Sequence, residues 1–197
     1  MTRHPIVVAI TGASGAAYAT RLLQILAQFE RPVHLTISPS GAEVLRHECA
    51  VEVDLQRFDA GPLGVAHDAI VYHHYQDFMA PIASGSFLTG GMVICPCSGS
   101  TLSSVAHASS TNLIQRAADV HLKERRRLIL VPRETPLSLG QLENMKTACQ
   151  YGAVILPAMP GWYHGVDSLQ DLIDFVVARI LDQLEIPHEL MRRWGET

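Results

Sequence analysis

Five consecutive apolar residues, Ile6 to Ile10, most of them β-branched, begin a pattern that recurs along the chain. A run this short and apolar at every position predicts a strand buried on both faces. It is followed by Thr11-Gly12-Ala13-Ser14-Gly15, and then by Tyr18, Leu22, Leu23, Ile25 and Leu26 at helical spacing. The unit reads as strand, glycine turn and helix. Val33 to Ile37 before Ser38-Pro39-Ser40-Gly41, and Met92 to Cys95 before Pro96-Cys97-Ser98-Gly99-Ser100, repeat it: each strand ends in a polar turn that opens a helix. Further strands are predicted at Leu128 to Val131 and Ala153 to Leu156, with helices near 111–123, 138–150 and 168–184. The last of these carries Leu169, Leu172, Ile173, Val176, Val177 and Ile180 along one stripe. Asp59 to Ser86 is the least regular stretch and holds one further candidate strand, Ala69 to Tyr72.

Strands alternating with helices predict an α/β architecture in which a parallel sheet is covered on both faces. A ligand then lies beyond the carboxyl ends of the strands, where the turns after strands one, two and four gather. Those are the turns rich in Ser, Gly and Thr.

Composition adds a boundary and a surface. The 197 residues show no abrupt shift, so one domain spanning 1–197 is expected. Hydrophobic residues make up 48% and charged residues 17%, which leaves apolar surface for partner subunits and predicts an oligomer. A formal charge of −4 lacks the broad basic field that nucleic acid or an anionic membrane requires. The first residues run straight into a short strand, and no apolar run reaches transmembrane length, so a cytoplasmic location is expected. Cys49, Cys95, Cys97 and Cys149 lack the spacing of common zinc or redox pairs and read as reduced and metal-free. The histidines, His73-His74 included, read as surface or structural residues.

The candidate chemistry sits on the turns and on one helix. Gly12-Ala13-Ser14-Gly15 lets backbone N–H groups at a helix amino terminus approach a phosphate, although a plain tight turn explains it as well. Ser38 and the cluster Ser98-Gly99-Ser100-Thr101 add hydroxyls at two further turns. Three converging polar turns suit a phosphorylated, ring-containing cofactor with a polyol chain; helix capping is the plainer explanation. In the predicted helix, Arg116 and Lys123 share a face, where two cations grip one phosphate or simply face solvent. Arg133-Glu134, just after a strand, places a cation and a carboxylate at its carboxyl end, for phosphate binding and proton relay or for a salt bridge. Arg125-Arg126-Arg127 is expected to cap a helix carboxyl end.

The ordered set Gly12-Ala13-Ser14-Gly15-Ala16, Ala83-Ser84-Gly85-Ser86, Cys95-Pro96-Cys97-Ser98, Asn112-Leu113-Ile114, Arg116-Ala117-Ala118-Asp119-Val120, Leu122-Lys123-Glu124-Arg125-Arg126 and Arg133-Glu134-Thr135-Pro136-Leu137 resembles the UbiX-type flavin prenyltransferases. The resemblance runs on through Pro160-Gly161-Trp162-Tyr163 and the tail Pro187 to Trp194, so it covers nearly the whole chain. It implies a Rossmann-like three-layer α/β/α sandwich, assembled as a dodecamer with sites at subunit junctions. The implied reaction joins dimethylallyl phosphate to N5 and C6 of reduced FMN without a metal, and the prenylated FMN passes to a UbiD-type decarboxylase. By position, Gly12, Ala13, Ser14, Ser38, Ser98, Gly99, Ser100, Thr101 and Arg133 resemble the FMN contacts, with Ser14 also counted among the catalytic residues. Arg116, Lys123, Arg133, Tyr163 and Arg179 resemble the cluster that holds the prenyl phosphate, with Lys123 also catalytic. Glu48 and Glu134 resemble the acid–base carboxylates, and Trp194 an aromatic shield over the prenyl group. Trp162 and Phe78 depart from the residues usual at those places, which leaves the charged candidates in place. Two other readings stay open: a related flavin-dependent cysteine decarboxylase, whose Pro-Ala-Ser-Ala-Asn-Thr segment is not found here, and a non-catalytic flavin carrier, which needs no second phosphate site.

Overall fold

A computed structural model describes residues 4–29, 31–163, 165–193 and 195; Trp194 lies outside the described residues. Six parallel strands form one sheet: β1 (Ile6–Ile10), β2 (Val33–Ile37), β3 (Ile70–Tyr72), β4 (Gly91–Cys97), β5 (Leu128–Pro132) and β6 (Val154–Ile155). Their spatial order is β3-β2-β1-β4-β5-β6, so the chain starts in the middle and winds outward in both directions. Among the described residues six α-helices complete it: α1 (Ala16–Leu26), α2 (Pro39–Cys49), α3 (Gly99–Ala106), α4 (Leu113–Lys123), α5 (Leu139–Gln150) and α6 (Leu169–Gln183).

The continuous apolar runs are explained by two cores, one on each face. Ile6, Val8 and Ile10 pack with Leu22 and Leu23 of α1, Leu45 of α2 and Val177 and Ile180 of α6. Val7 and Ala9, alternating with them, pack with Leu102 of α3, Ile114 and Ala117 of α4 and Ala148 of α5. A strand whose neighbours alternate between two helical layers has no polar face to show. The expected three-layer sandwich is the fold.

Side-chain caps set the helix starts. Ser38, Ser98, Asn112, Ser138 and Ser168 each accept the N–H three residues on. These bonds meet donors that no helical carbonyl can reach. β4 runs two residues beyond its expected end, through Pro96 and Cys97, and its register against β5 shifts between Ile94 and Cys97. Pro96 has no N–H for the ladder, and the irregularity accommodates it. β6 is shorter than expected, in keeping with an edge position.

The arginine run sits at the carboxyl end of α4, as expected, and does more than cap it. Arg126 donates to the carbonyls of Phe87, at 2.6 Å, and Gly85, while Arg127 faces Gln183 and Glu185 at the end of α6. The run also closes the carboxyl end of α4 through its backbone, with Arg125 left-handed at φ 55° and the Arg126 N–H on the His121 carbonyl at 2.8 Å, while the side chains tie neighbouring segments to the foot of the helix. The structural reading of His73 holds: its ring nitrogen lies 2.8 Å from that of His34 on β2, with the rings stacked. Among the described residues no helix is long and apolar enough to cross a membrane.

Candidate active site

The carboxyl ends of β1, β2 and β4 meet through small residues. Thr11, almost fully buried, donates its hydroxyl to the Pro96 carbonyl at 2.8 Å and accepts the Ser98 N–H at 2.8 Å. One side chain thereby locks the turn after β1 to the turn after β4. On the other side, Gly41 lies so close to β1 that a Cβ there would sit 2.5 Å from the Ile10 carbonyl oxygen. A Cβ on Gly12 would sit 2.5 Å from the Ser40 side chain. The cradle of Gly12, Ala13, Ser14, Ser38, Ser98, Gly99, Ser100 and Thr101 is thus assembled from contacts that admit no larger residue at its seams.

Glu48 enters this cradle from the last turn of α2. Its Oε2 accepts the N–H groups of Gly15 and Ala16, both at 2.8 Å, at the amino terminus of α1. The anion position predicted for a phosphate at this turn is therefore filled by the protein's own carboxylate, a correction to the phosphate-loop reading of Gly12 to Gly15. Burial opposes the charge, but the Ser14 hydroxyl, the two N–H groups and the nearby Arg133 guanidinium outweigh it. They hold the Glu48 carboxyl below the ordinary carboxylate value, so it is ionised at neutral pH. Arg133 also reaches the Ser14 carbonyl, with Nε at 3.4 Å. Glu134 accepts from Gln141 Nε2 at 2.9 Å, and that nitrogen borders Gly99.

The remaining candidates are elsewhere on the chain. Lys123 ends α4 and pairs with Glu124 at 2.6 Å. It lines a cavity of about 770 Å³ with Gly90, Arg127 and Gln183, at the edge where β4 and β5 begin. A five-residue strand separates that edge from the cradle by ~15 Å or more. Arg116 pairs with Asp119 at 3.1 Å and donates to the Ala83 carbonyl. The expectation that Arg116 and Lys123 grip one phosphate is not met within one chain, where each faces its own acceptor. Tyr163 packs edge-on against Phe175 of α6, and Arg179, one turn further along α6, pairs with Asp182 at 2.6 Å. The α4 foot is thus set apart from the cradle, whereas the segment after β6 leaves the sheet at the cradle's edge, where the Ala158 N–H meets the Pro132 carbonyl at 3.0 Å, next to Arg133.

Thr11 and Gln141 belong to the site without being marked out by the sequence pattern. A buried Thr next to a glycine turn was a signal for the first. Gln141 was signalled only as the third helical residue after Ser138.

The cradle fits a flavin mononucleotide. The N–H groups of Ser40, Gly99 and Ser100, in the first turns of α2 and α3, find no acceptor among the described residues. Beside them the hydroxyl pairs Ser38–Ser40 and Ser98–Ser100 stand 3.2 Å apart. Unengaged donors at two helix amino termini suit a phosphate and a polyol chain.

Known proteins agree. The flavoprotein family model matches residues 1–181. The flavin prenyltransferase UbiX of Pseudomonas aeruginosa is 52% identical over 196 residues, 97% of this chain and 94% of that protein. AnUbiX (PadA1), solved in complex with FMN and dimethylallyl pyrophosphate, superposes with a TM-score of 0.88 at 38% identity, over 99% of each chain. A dodecameric FMN-dependent UbiX-like decarboxylase from Escherichia coli O157:H7 superposes with a TM-score of 0.87 at 37% identity, over 98% of this chain and all of that one. Fold, cradle and full-length similarity together make this chain a member of the UbiX flavin prenyltransferase family of flavoproteins.

Proposed function

We propose that this chain, acting as one unit over residues 1–197, transfers a dimethylallyl group from dimethylallyl phosphate to N5 and C6 of reduced FMN without a metal ion. The observation that carries the reading is the cradle itself, where Glu48, held ionised, stands beside Ser14, Arg133 and two open helix amino termini. Reduced FMN, when bound, supplies the nucleophilic ring positions. Glu48 then stands ready to accept a proton, with Ser14 and the α1 N–H groups holding its carboxylate in place. Glu134, on the β5 side, is the second proton-handling group, serving the departing phosphate. Arg133 binds the cofactor and adds positive charge where phosphate leaves.

Arg116, Lys123, Tyr163 and Arg179 bind the prenyl phosphate, and Trp194 shields the prenyl chain. Because the α4 foot is apart from the cradle in one chain, we assign the contribution of Lys123 to a neighbouring subunit. The dodecameric relative supports that assignment. Cations gathered from several subunits stabilise a phosphate leaving group, a task a metal ion otherwise performs. Release of prenylated FMN to a UbiD-type decarboxylase, in the cytoplasm, completes the proposal.

The test is anaerobic incubation of the purified protein with dithionite-reduced FMN and dimethylallyl phosphate, followed by mass spectrometry of the released flavin. The expected result is a gain of one dimethylallyl unit, lost in Lys123→Ala. Unchanged FMN at saturated flavin binding, with a verified donor, overturns the reading. Decarboxylation, the activity named for the Escherichia coli UbiX-like relative, is the second reading, and release of carbon dioxide from an aromatic or cysteinyl acid would reveal it.

A further inference from the structure

We infer that Gln141 is a positioning residue that orients the Glu134 carboxylate at the cradle, an inference that rests on the role of Glu134 proposed above. Gln141 is the third residue of α5, and the two ends of its amide have different partners. Its Oε1 accepts the Ser138 N–H at 2.8 Å, while its own N–H is accepted by Ser138 Oγ at 3.3 Å. This capping box decides which way the amide faces, because a backbone N–H can be met only by the oxygen. Nε2 is thereby turned toward Glu134 and donates to its Oε2 at 2.9 Å. The same nitrogen is 3.4 Å from where a Cβ on Gly99 would lie, at the first residue of α3. One side chain thus spans the α5 cap, the Glu134 carboxylate and the cradle turn after β4.

Capping alone does not require this amide. A glutamate at the third position closes a capping box equally well. What glutamate lacks is the donor, and beside Glu134 it presents an acceptor to an acceptor. The amide is what the neighbouring carboxylate needs, and the helix needs only its oxygen.

Gln141→Glu separates the two roles. In that variant the flavin-free protein should melt as the wild type does, because the cap is kept. Turnover should fall roughly tenfold or more, a part of the ~10²–10⁴-fold that a positioned acid–base group contributes, with little change in KM for dimethylallyl phosphate. The alkaline side of its pH profile, which reports a group that acts in its protonated form, should move to higher pH, since a like charge alongside makes ionisation harder. In a Glu134→Gln background the same substitution should have no further effect.

Isotope-edited infrared spectra of the flavin-free, glutamate-labelled protein give a readout independent of turnover. The carboxylate band assigned to Glu134, by its loss in Glu134→Gln, should shift in Gln141→Glu. A band that stays in place, or a pH profile that superimposes on the wild type, overturns the inference. Absence of prenyl transfer in the wild type overturns the functional reading instead, and the band then decides the Gln141 contact by itself.

Discussion

Glu48 occupies, as part of the protein, the place where other helix amino termini bind a foreign anion. Two N–H bonds and the Ser14 hydroxyl favour its charged form, and the α1 dipole adds to them. Glu48→Gln keeps the shape and removes the charge. It should lower stability at neutral pH by about 1 kcal/mol, a figure reduced from that of buried charge-assisted bonds because the residue is exposed. The sign follows from the lowered carboxyl. A group more acidic in the folded state stabilises it above its unfolded value, and that stabilisation is lost as pH falls through the folded value. Urea denaturation should therefore show the two proteins differing at neutral pH and converging in acid. A difference that persists in acid would mean that packing, and not charge, carries the contact. In sequence Glu48 looked like helix surface, because the groups it meets are 32 and 33 residues away. A contact made through chain crossing leaves no local periodicity to read.

At the scale of elements, strand and helix identity was legible almost throughout, since both periodicities are local. Helix starts were marked by Ser and Asn caps, and the polar turns by Gly and Ser. The ends of β4 and β6 were less legible. Pro96 reads as a turn in isolation, whereas the sheet carries it because β1 lies alongside and Thr11 donates its N–H to the Pro96 carbonyl at 3.2 Å. The closeness of β1 to α2 also yields a contrast between two glycines. Gly41→Ala drives a Cβ into the backbone carbonyl of Ile10, which cannot rotate away, and should cost about 2 to 3 kcal/mol. Gly12→Ala drives one into the Ser40 side chain, which a second change, Ser40→Gly, removes. Denaturation midpoints and the quenching of FMN fluorescence on binding should recover in the Gly12→Ala, Ser40→Gly pair relative to Gly12→Ala. No side-chain deletion at Ser38 or Ser40 should rescue Gly41→Ala. Rescue of both, or of neither, would show that the seams of the cradle are not set by these contacts.

At the scale of the whole molecule, one chain holds a cradle and an outlying patch at the α4 foot, together with exposed apolar side chains. Met79, Leu139, Trp162 and Leu169 each leave more than two thirds of their surface open. If neighbouring subunits complete each site, two inactive variants damaged in different patches should complement each other. Glu134→Gln and Lys123→Ala chains, unfolded and reassembled together at equal ratio, should regain prenyl transfer at about a quarter of the sites by random pairing. Mixtures no more active than either parent would place both residues on the same chain within each site.

The alternation of strands and helices, the layering and the polar turns follow from side-chain period and cap chemistry, and these are encoded within a few neighbouring residues. The amide of Gln141 beside Glu134, the Glu48 carboxylate under α1 and the Thr11 bridge follow from which strands lie side by side. The distance between Lys123 and the cradle belongs with them, because it depends on the direction in which α4 returns across the sheet. Such relations come from strand order and the crossing of the chain, and only the folded molecule settles them.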